Sequence, residues 1–190
     1  MGPKYAFSCP SGLNDVLKKH LTQDPKWKDM ITPVGGDESL LVFTANLPPS
    51  EVSRLPFPSF LVIFQKEFPP SAPIEKIVNT LVNPKILRSF HGNIDPRHHS
   101  FRFMVSEKGR LVSINPKLKE KIKKQIEKAF NLRYNPHKAD NEFWIVTRKG
   151  GLSFFGLRLK SGEKREKGEL SAAVAYLLNT FSQPKPEDIF

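Results

Sequence analysis

Cysteine occurs once in these 190 residues, at Cys9. That excludes an internal disulfide and leaves no thiolate set for a structural metal, as in a reducing compartment. No stretch approaches the roughly 18 apolar residues of a membrane span, and the opening MGPKYAFSCPSG has no apolar signal core. A cytoplasmic location is the expectation. No glycine-rich strand-turn-helix loop for phosphate or nucleotide is visible. His91, His98 and His99 share one segment without a Cys or Glu at ligand spacing, and Cys9 and Ser11 have no evident base beside them. The pairs LPPS and FPPS lack the acidic or amide first residue and aromatic last residue of an amino-methyltransferase motif. No catalytic, cofactor-binding or metal residue is nominated, and the chain by itself reads as a non-enzyme.

What the sequence does hold is apolar and aromatic. Fifteen Phe and 38% hydrophobic residues rule out a disordered chain, and seventeen prolines punctuate it into short elements. The formal charge of +11 points to a polyanionic partner. Residues 101–170 carry 18 Lys/Arg against 8 Asp/Glu, whereas residues 1–100 carry 11 against 9. The basic character therefore belongs to one region.

KYAFSC alternates as a strand, and SGLNDVLKKHL follows at helical spacing with Ser11 as the expected N-cap. Gly35-Gly36-Asp37 reads as a turn feeding a strand over 40–45. SFLVIFQKEF contains a buried strand over 60–65, and IEKIVNTLV predicts a helix over 73–82 that Pro84 ends or kinks. FRFMVS alternates again, with Arg102 on the face opposite Phe101, Phe103 and Val105. Strands over 143–147 and 152–159 flank a hairpin turn at Arg148-Lys149-Gly150-Gly151. The fold class expected is α+β: an N-terminal ferredoxin-like domain, an α/β domain and a C-terminal helix running to about Ser182.

NPKLKEKIKKQIEKAF begins with Asn115 as a cap and Pro116 at the first helical position. At 100° per residue Leu118, Ile122, Ile126 and Ala129 share one arc, and Lys117, Lys121, Lys124 and Lys128 fall within about 60° on one flank of it. Lys119 and Lys123 lie on the opposite flank. A lysine stripe follows a phosphate backbone, although a surface helix solvated by lysine is the plainer reading. Clustering favours nucleic acid, so the candidate RNA-binding set is Arg102, Lys117, Lys121, Lys124, Lys128, Arg133, Lys138, Arg148, Lys149, Arg158 and Lys160. Trp144 and Tyr134 are the candidates for stacking on bases.

CPSGLNDVLKKHL resembles the Gly-Leu-Glu-Asp-Val-Leu opening of THUMP-containing RNA methyltransferases, with Asn14 where Glu is usual. FRFMV, the basic helix and NEFWIVTRKGGLSFFGLRL resemble the THUMP domain, and KGELSAAVAYLLNTFSQPKPEDIF resembles the helix leading into the methyltransferase domain. The resemblance implies a ferredoxin-like domain over 1–70, a THUMP RNA-binding domain over 71–165 and a linker helix over 166–190. It also implies that Ile189 and Phe190 open a strand preceding an absent domain that binds S-adenosylmethionine and methylates a guanine base.

The function expected is therefore an RNA-binding module, with structured RNA and above all tRNA as partner, positioning substrate for a methyltransferase domain in cis or in trans. The competing readings are an adaptor domain docking through its C-terminal helix, and a self-contained methyltransferase of unusual design. Leu170, Val174, Leu177, Leu178 and Phe181 give that helix an apolar face. A missing domain, a dimer interface or the chain's own sheet would each cover it.

Overall fold

The computed structural model describes residues 3–58, 60–81, 83–160 and 170–182. The protein is α+β. In chain order the elements are β1 (Lys4–Ser8), α1 (Asn14–Gln23), β2 (Ile31–Asp37), β3 (Leu40–Ala45), α2 (Pro49–Val52), β4 (Leu61–Phe68), α3 (Ile74–Leu81) and α4 (Pro84–Arg88). A short 3-10 turn at His91–Asn93 precedes β5 (Ser100–Glu107), β6 (Arg110–Leu111), α5 (Pro116–Phe130), β7 (Arg133–Tyr134), β8 (Asn141–Thr147), β9 (Ser153–Lys160) and α6 (Ala172–Ser182). Among the described residues no helix is long and apolar enough to cross a membrane.

Two compact units result, one from residues 4–61 with α6 and the other from residues 62–158. By contact β4 groups with the second unit and α6 with the first.

In the first unit β3 pairs antiparallel with both β1 and β2. Tyr5 lies opposite Phe43 and Phe7 opposite Leu41, so four large apolar groups share one face. Leu17 and Leu21 of α1 are fully buried, as are Phe7, Phe43 and Phe57; burying such a side chain is worth about 1.5–3 kcal/mol. Two local expectations are corrected. The cap of α1 is Leu13, which makes no side-chain bond, and not Ser11. Gly12, at φ +86°, turns the chain before the helix, and the Asn14 side-chain amide ties its first turn to the carbonyls of Asp37 and Leu40. The Gly35-Gly36-Asp37 segment is the end of a bulged strand and not a free turn. At Gly36 a Cβ would lie 2.0 Å from the Leu40 carbonyl oxygen, so only glycine brings the two strands together there.

The α6 helix lies on this unit through Ala173, Leu177 and Tyr176. Trp27 Nε1 donates to Tyr176 Oη at 2.8 Å, and His20 Nε2 is 3.0 Å from the same oxygen. Of the three covers foreseen for its apolar face, the chain's own fold supplies one, and it takes the Tyr176 side. Leu170, Leu178 and Phe181 remain 55–59% exposed. The strand foreseen at Ile189 and Phe190 lies outside the described residues.

The second unit has the strand order β4-β9-β8-β5-β6, with β7 also on β5. β5 runs parallel to β8, and β8 antiparallel to β9. Register places Phe101, Phe103, Val105, Phe143, Ile145, Phe155 and Leu157 on one face. Phe90, following α4, and Phe130, ending α5, pack on Phe143, so the helices cover this face. Gly156 lets β9 approach β4 closely: a Cβ there would meet Val62 Cγ1 at 2.3 Å and the Ile63 carbonyl at 2.6 Å. Pro84 does not extend α3; it opens α4, with Asn83 Oδ1 accepting from the Lys85 amide.

Candidate nucleic-acid interface

The second unit places its cations by two periodicities, that of a helix and that of a strand. α5 starts as its sequence dictates: Asn115 Oδ1 accepts from the Lys117 amide at 2.9 Å, with Pro116 at the first helical position. Asn131, left-handed at φ 56°, closes it. Ile122 and Ile126 are buried, which fixes the helix's rotation about its axis. Lys117, Lys121, Lys124 and Lys128 are consequently all exposed. From Lys117 to Lys128 is eleven residue steps, about 16 Å of helix.

α3 and α4 lie against α5. Lys121 Nζ donates to Asn79 Oδ1 of α3 at 2.8 Å, which marks the lysine flank as the one turned towards that helix. The neighbours add exposed Lys76, Lys85 and Arg88. Sequence reasoning missed these three, because they sit in a half of the chain whose net charge is small. Their signal was local: a basic residue on the polar side of each short amphipathic helix.

Arg133 and Lys138 are exposed in the segment joining α5 to β8, and Lys149 in the β8–β9 turn. Arg148, in that turn, is partly buried, and its carbonyl accepts from the Ser71 amide at 2.8 Å. The Lys160 side chain lies outside the description.

Arg102 and Arg158 are placed otherwise. They project with Glu142 and Trp144 from the face of the sheet opposite Phe143 and α5. Both guanidinium groups donate to the Glu142 carboxylate, Arg102 to Oε2 and Arg158 to Oε1. Trp144 Nε1 donates to Oε1 at 2.7 Å. Burial pushes the Glu142 carboxyl up and is the largest single influence. The bonds from Arg158, Trp144 and Arg102 together outweigh it and hold the group below the usual glutamate range. In this charge cluster the Glu142 side chain is 9% exposed, Arg158 18% and Arg102 32%, and Arg102 Nη1 also donates to the His137 carbonyl at 3.4 Å. The two arginines are thus separated from the α5 lysines by the sheet and occupied by a carboxylate. The physical reason is the pleat: residues that alternate with Phe101, Phe103 and Phe143 point away from the helix layer.

The remaining polar groups of this region serve the backbone. Asp140 Oδ2 accepts from the His99 and Ser100 amides and from Ser100 Oγ, fixing the start of β5. The Ser100 hydroxyl, then the His99 amide, lower its carboxyl despite some desolvation. His98 Nδ1 is 3.1 Å from Asn141 Oδ1, and His91 stacks edge-on against Phe130. Among the described residues no group of three His, Cys, Asp or Glu is placed to hold a metal. Of the stacking candidates, Trp144 belongs to the Glu142 cluster, whereas Tyr134 lies between α5 and β5 with a half-buried ring.

For S-adenosylmethionine, the β1–α1 junction is the place to test. A groove of about 300 Å³ lies there, lined by Gly12, Asn14, Asp15, Lys18, Gly35, Gly36, Asp37 and Glu38. One glycine in the junction and three carboxylates around the helix N-terminus do not fit a ligand whose carboxylate and adenosine need a glycine-rich cradle.

No protein-family model matches the chain, and no curated protein matches it in sequence. Solved structures do match in fold. TrmN from Thermus thermophilus shares 14% identity at a TM-score of 0.60, over 96% of this chain and 55% of that one. A 4-thiouridine synthetase in complex with RNA and ATP shares 10% at 0.53, over 84% and 42%. A predicted N6-adenine-specific DNA methylase from Listeria monocytogenes shares 12% at 0.56, over 94% and 48%. The chain spans about half the length of these solved chains. The expectation that the 190 residues are not an enzyme is corrected by this likeness: a methylase shares the fold along nearly the whole chain. The likeness is one of fold, and on it the exclusion of an enzymatic role does not stand.

Proposed function

We propose that this chain handles structured RNA, tRNA first, in an RNA-modifying enzyme of the cytoplasm, and presents it for methylation by a fold that binds S-adenosylmethionine, in cis or in trans. In this proposal the first unit carries the ferredoxin-like role and the second the THUMP role, with α6 leading onward. The observation that carries it is the row of Lys117, Lys121, Lys124 and Lys128, exposed together on one flank of α5 beside Lys76, Lys85 and Arg88. A solved neighbour of the same fold that is an RNA complex supports the choice of polyanion.

Phosphate contacts supply affinity, and RNA shape supplies recognition. With about six phosphates neutralised, log affinity for tRNA falls against log salt with a slope of about −4 to −5. Converting Lys121, Lys124 and Lys128 together to Glu should abolish tRNA binding while the melting transition is retained. A slope near zero, or affinity retained in the triple variant, refutes the proposal. A second reading, docking of a protein through α6, is favoured only by the exposure of Leu170, Leu178 and Phe181. It predicts a specific partner that stays bound after nuclease treatment.

A further inference from the structure

The outer edge of β5 is not uniformly covered. At one end β7 takes Ser100 and Phe101, with the Asn135 amide donating to the Phe101 carbonyl at 2.8 Å. At the other end β6 takes Ser106 and Glu107, and the Val112 amide donates to the Val105 carbonyl at 3.0 Å. Backbone groups of a strand alternate sides, so Phe101 and Val105 face outwards and Phe103 between them does too. Its N–H and C=O fall in the gap between the two pairings and belong to neither.

That gap opens into a groove of about 190 Å³ lined by Phe103, Met104, Val105, Leu111, Val112, Ser113, Ile114, Lys119 and Tyr134. The space is roughly six waters' share of liquid volume, enough for one flat ring. The Tyr134 ring lies at one wall and Leu111, 61% exposed, at another. Lys119 and Lys123 hold their ammonium groups 5.7 and 5.8 Å from the Tyr134 ring centroid. These are the two lysines on the other flank of α5 from the stripe.

We infer that this groove takes one unpaired nucleotide of a bound RNA. Its base lies against Tyr134 and Leu111, its donor–acceptor edge meets the N–H and C=O of Phe103, and the adjoining phosphate lies on Lys119 and Lys123. The pieces are those by which single-stranded RNA is read: an aromatic face, a hydrogen-bonding edge and a cation for the backbone. An extended peptide adding as a strand does not fit, because it needs several alternate residues free along the edge and only one is. The inference rests on the proposed RNA-binding function and names which part of the RNA enters the second unit and where.

The test uses the full chain with a fluorescent oligouridine, which is unpaired, and a blunt RNA duplex of equal length. Tyr134→Leu keeps the wall apolar but removes the ring; Lys119→Gln with Lys123→Gln is a second variant that leaves the core untouched. The parent should bind both RNAs. Tyr134→Leu should weaken oligouridine binding roughly 5- to 100-fold, the range of one base-stacking contact, and leave duplex binding within about twofold. The lysine pair should weaken oligouridine binding and reduce its salt slope by one to two units. Duplex binding with no oligouridine binding, or equal oligouridine affinity in parent and both variants, overturns the groove while leaving the lysine stripe in place. Displacement of oligouridine by an equimolar polyglutamate peptide gives the groove to extended peptides and also overturns it. If neither RNA binds the parent, the groove and the proposed function fall together.

Discussion

Glu142→Gln separates architecture from RNA binding. In the parent, Glu142 accepts from Arg102, Arg158 and Trp144 on the sheet face opposite α5. Glutamine keeps the shape and one acceptor oxygen but leaves two guanidinium groups without their counter-charge. Breaking a fully buried pair costs about 3–5 kcal/mol. Arg158 and Arg102 retain 18% and 32% side-chain exposure, and water screens what is lost, so about 2 kcal/mol is expected. For a chain of this size that lowers Tm by roughly 4–8 °C. The pH dependence has a definite sign. Because the folded-state pKa of Glu142 lies below its ordinary value, its contribution is complete above the unfolded value of about 4.3 and is lost as pH falls through the folded value. The gap in Tm between parent and variant should therefore be widest near neutrality and close in acid. RNA affinity, measured by anisotropy below both melting temperatures, should hold or rise, because two cations are released. A variant that melts with the parent at pH 7, a gap undiminished in acid, or a loss of RNA affinity at intact fold would refute the assignment of these arginines to the architecture.

Gly156→Ala should destabilise by about 1–3 kcal/mol in urea titration, because its Cβ would meet the Ile63 carbonyl at 2.6 Å; an unchanged midpoint would show that β9 is free to shift. Tyr176→Phe removes the acceptor for Trp27 Nε1 and the partner of His20. It should cost about 1 kcal/mol or somewhat more and speed amide exchange in α6 before the rest of the first unit; uniform exchange would refute that docking. Ile126→Ala should cost about 2–5 kcal/mol, with RNA binding below the new Tm preserved. Lost binding at intact fold would mean that the lysine row depends on more than the helix's presence.

Much of the fold was legible because it rests on local periodicity. β3 runs over Leu40–Ala45 as its apolar run predicts, α5 starts on Asn115 and Pro116, and the β8–β9 turn falls on Arg148 to Gly151. What was not legible was decided by contacts distant in sequence. Ser11 is a good cap by type, but Asn14 is held by carbonyls 23 and 26 residues away, and the helix starts where those bonds place it. Gly35 and Gly36 look like a turn, yet β3 pairs with them because a strand without Cβ atoms can approach the Leu40 carbonyl. The face of α6 was legible only in part: Leu177 is buried as its spacing implies, but Tyr176 meets Trp27, 149 residues earlier, while Leu178 on the far side stays exposed.

The candidate site divides along the same line. The four-lysine row follows from the helical period and the burial of Ile122 and Ile126 alone, so it was readable. Arg102 was correctly set on the strand face opposite Phe101 and Phe103, but its consequence was missed: Glu142, 40 residues on, lies beside it in register and claims its charge along with that of Arg158. A count of basic residues per segment cannot distinguish a cation turned to solvent from one facing a carboxylate across a strand pair. For an α/β unit, then, net charge by region locates the layer that meets a polyanion only after strand-borne cations have been checked against acids at the paired positions. Here the check leaves exposed cations on α3, α4 and α5, with Arg133, Lys138 and Lys149 in the connecting segments of the second unit.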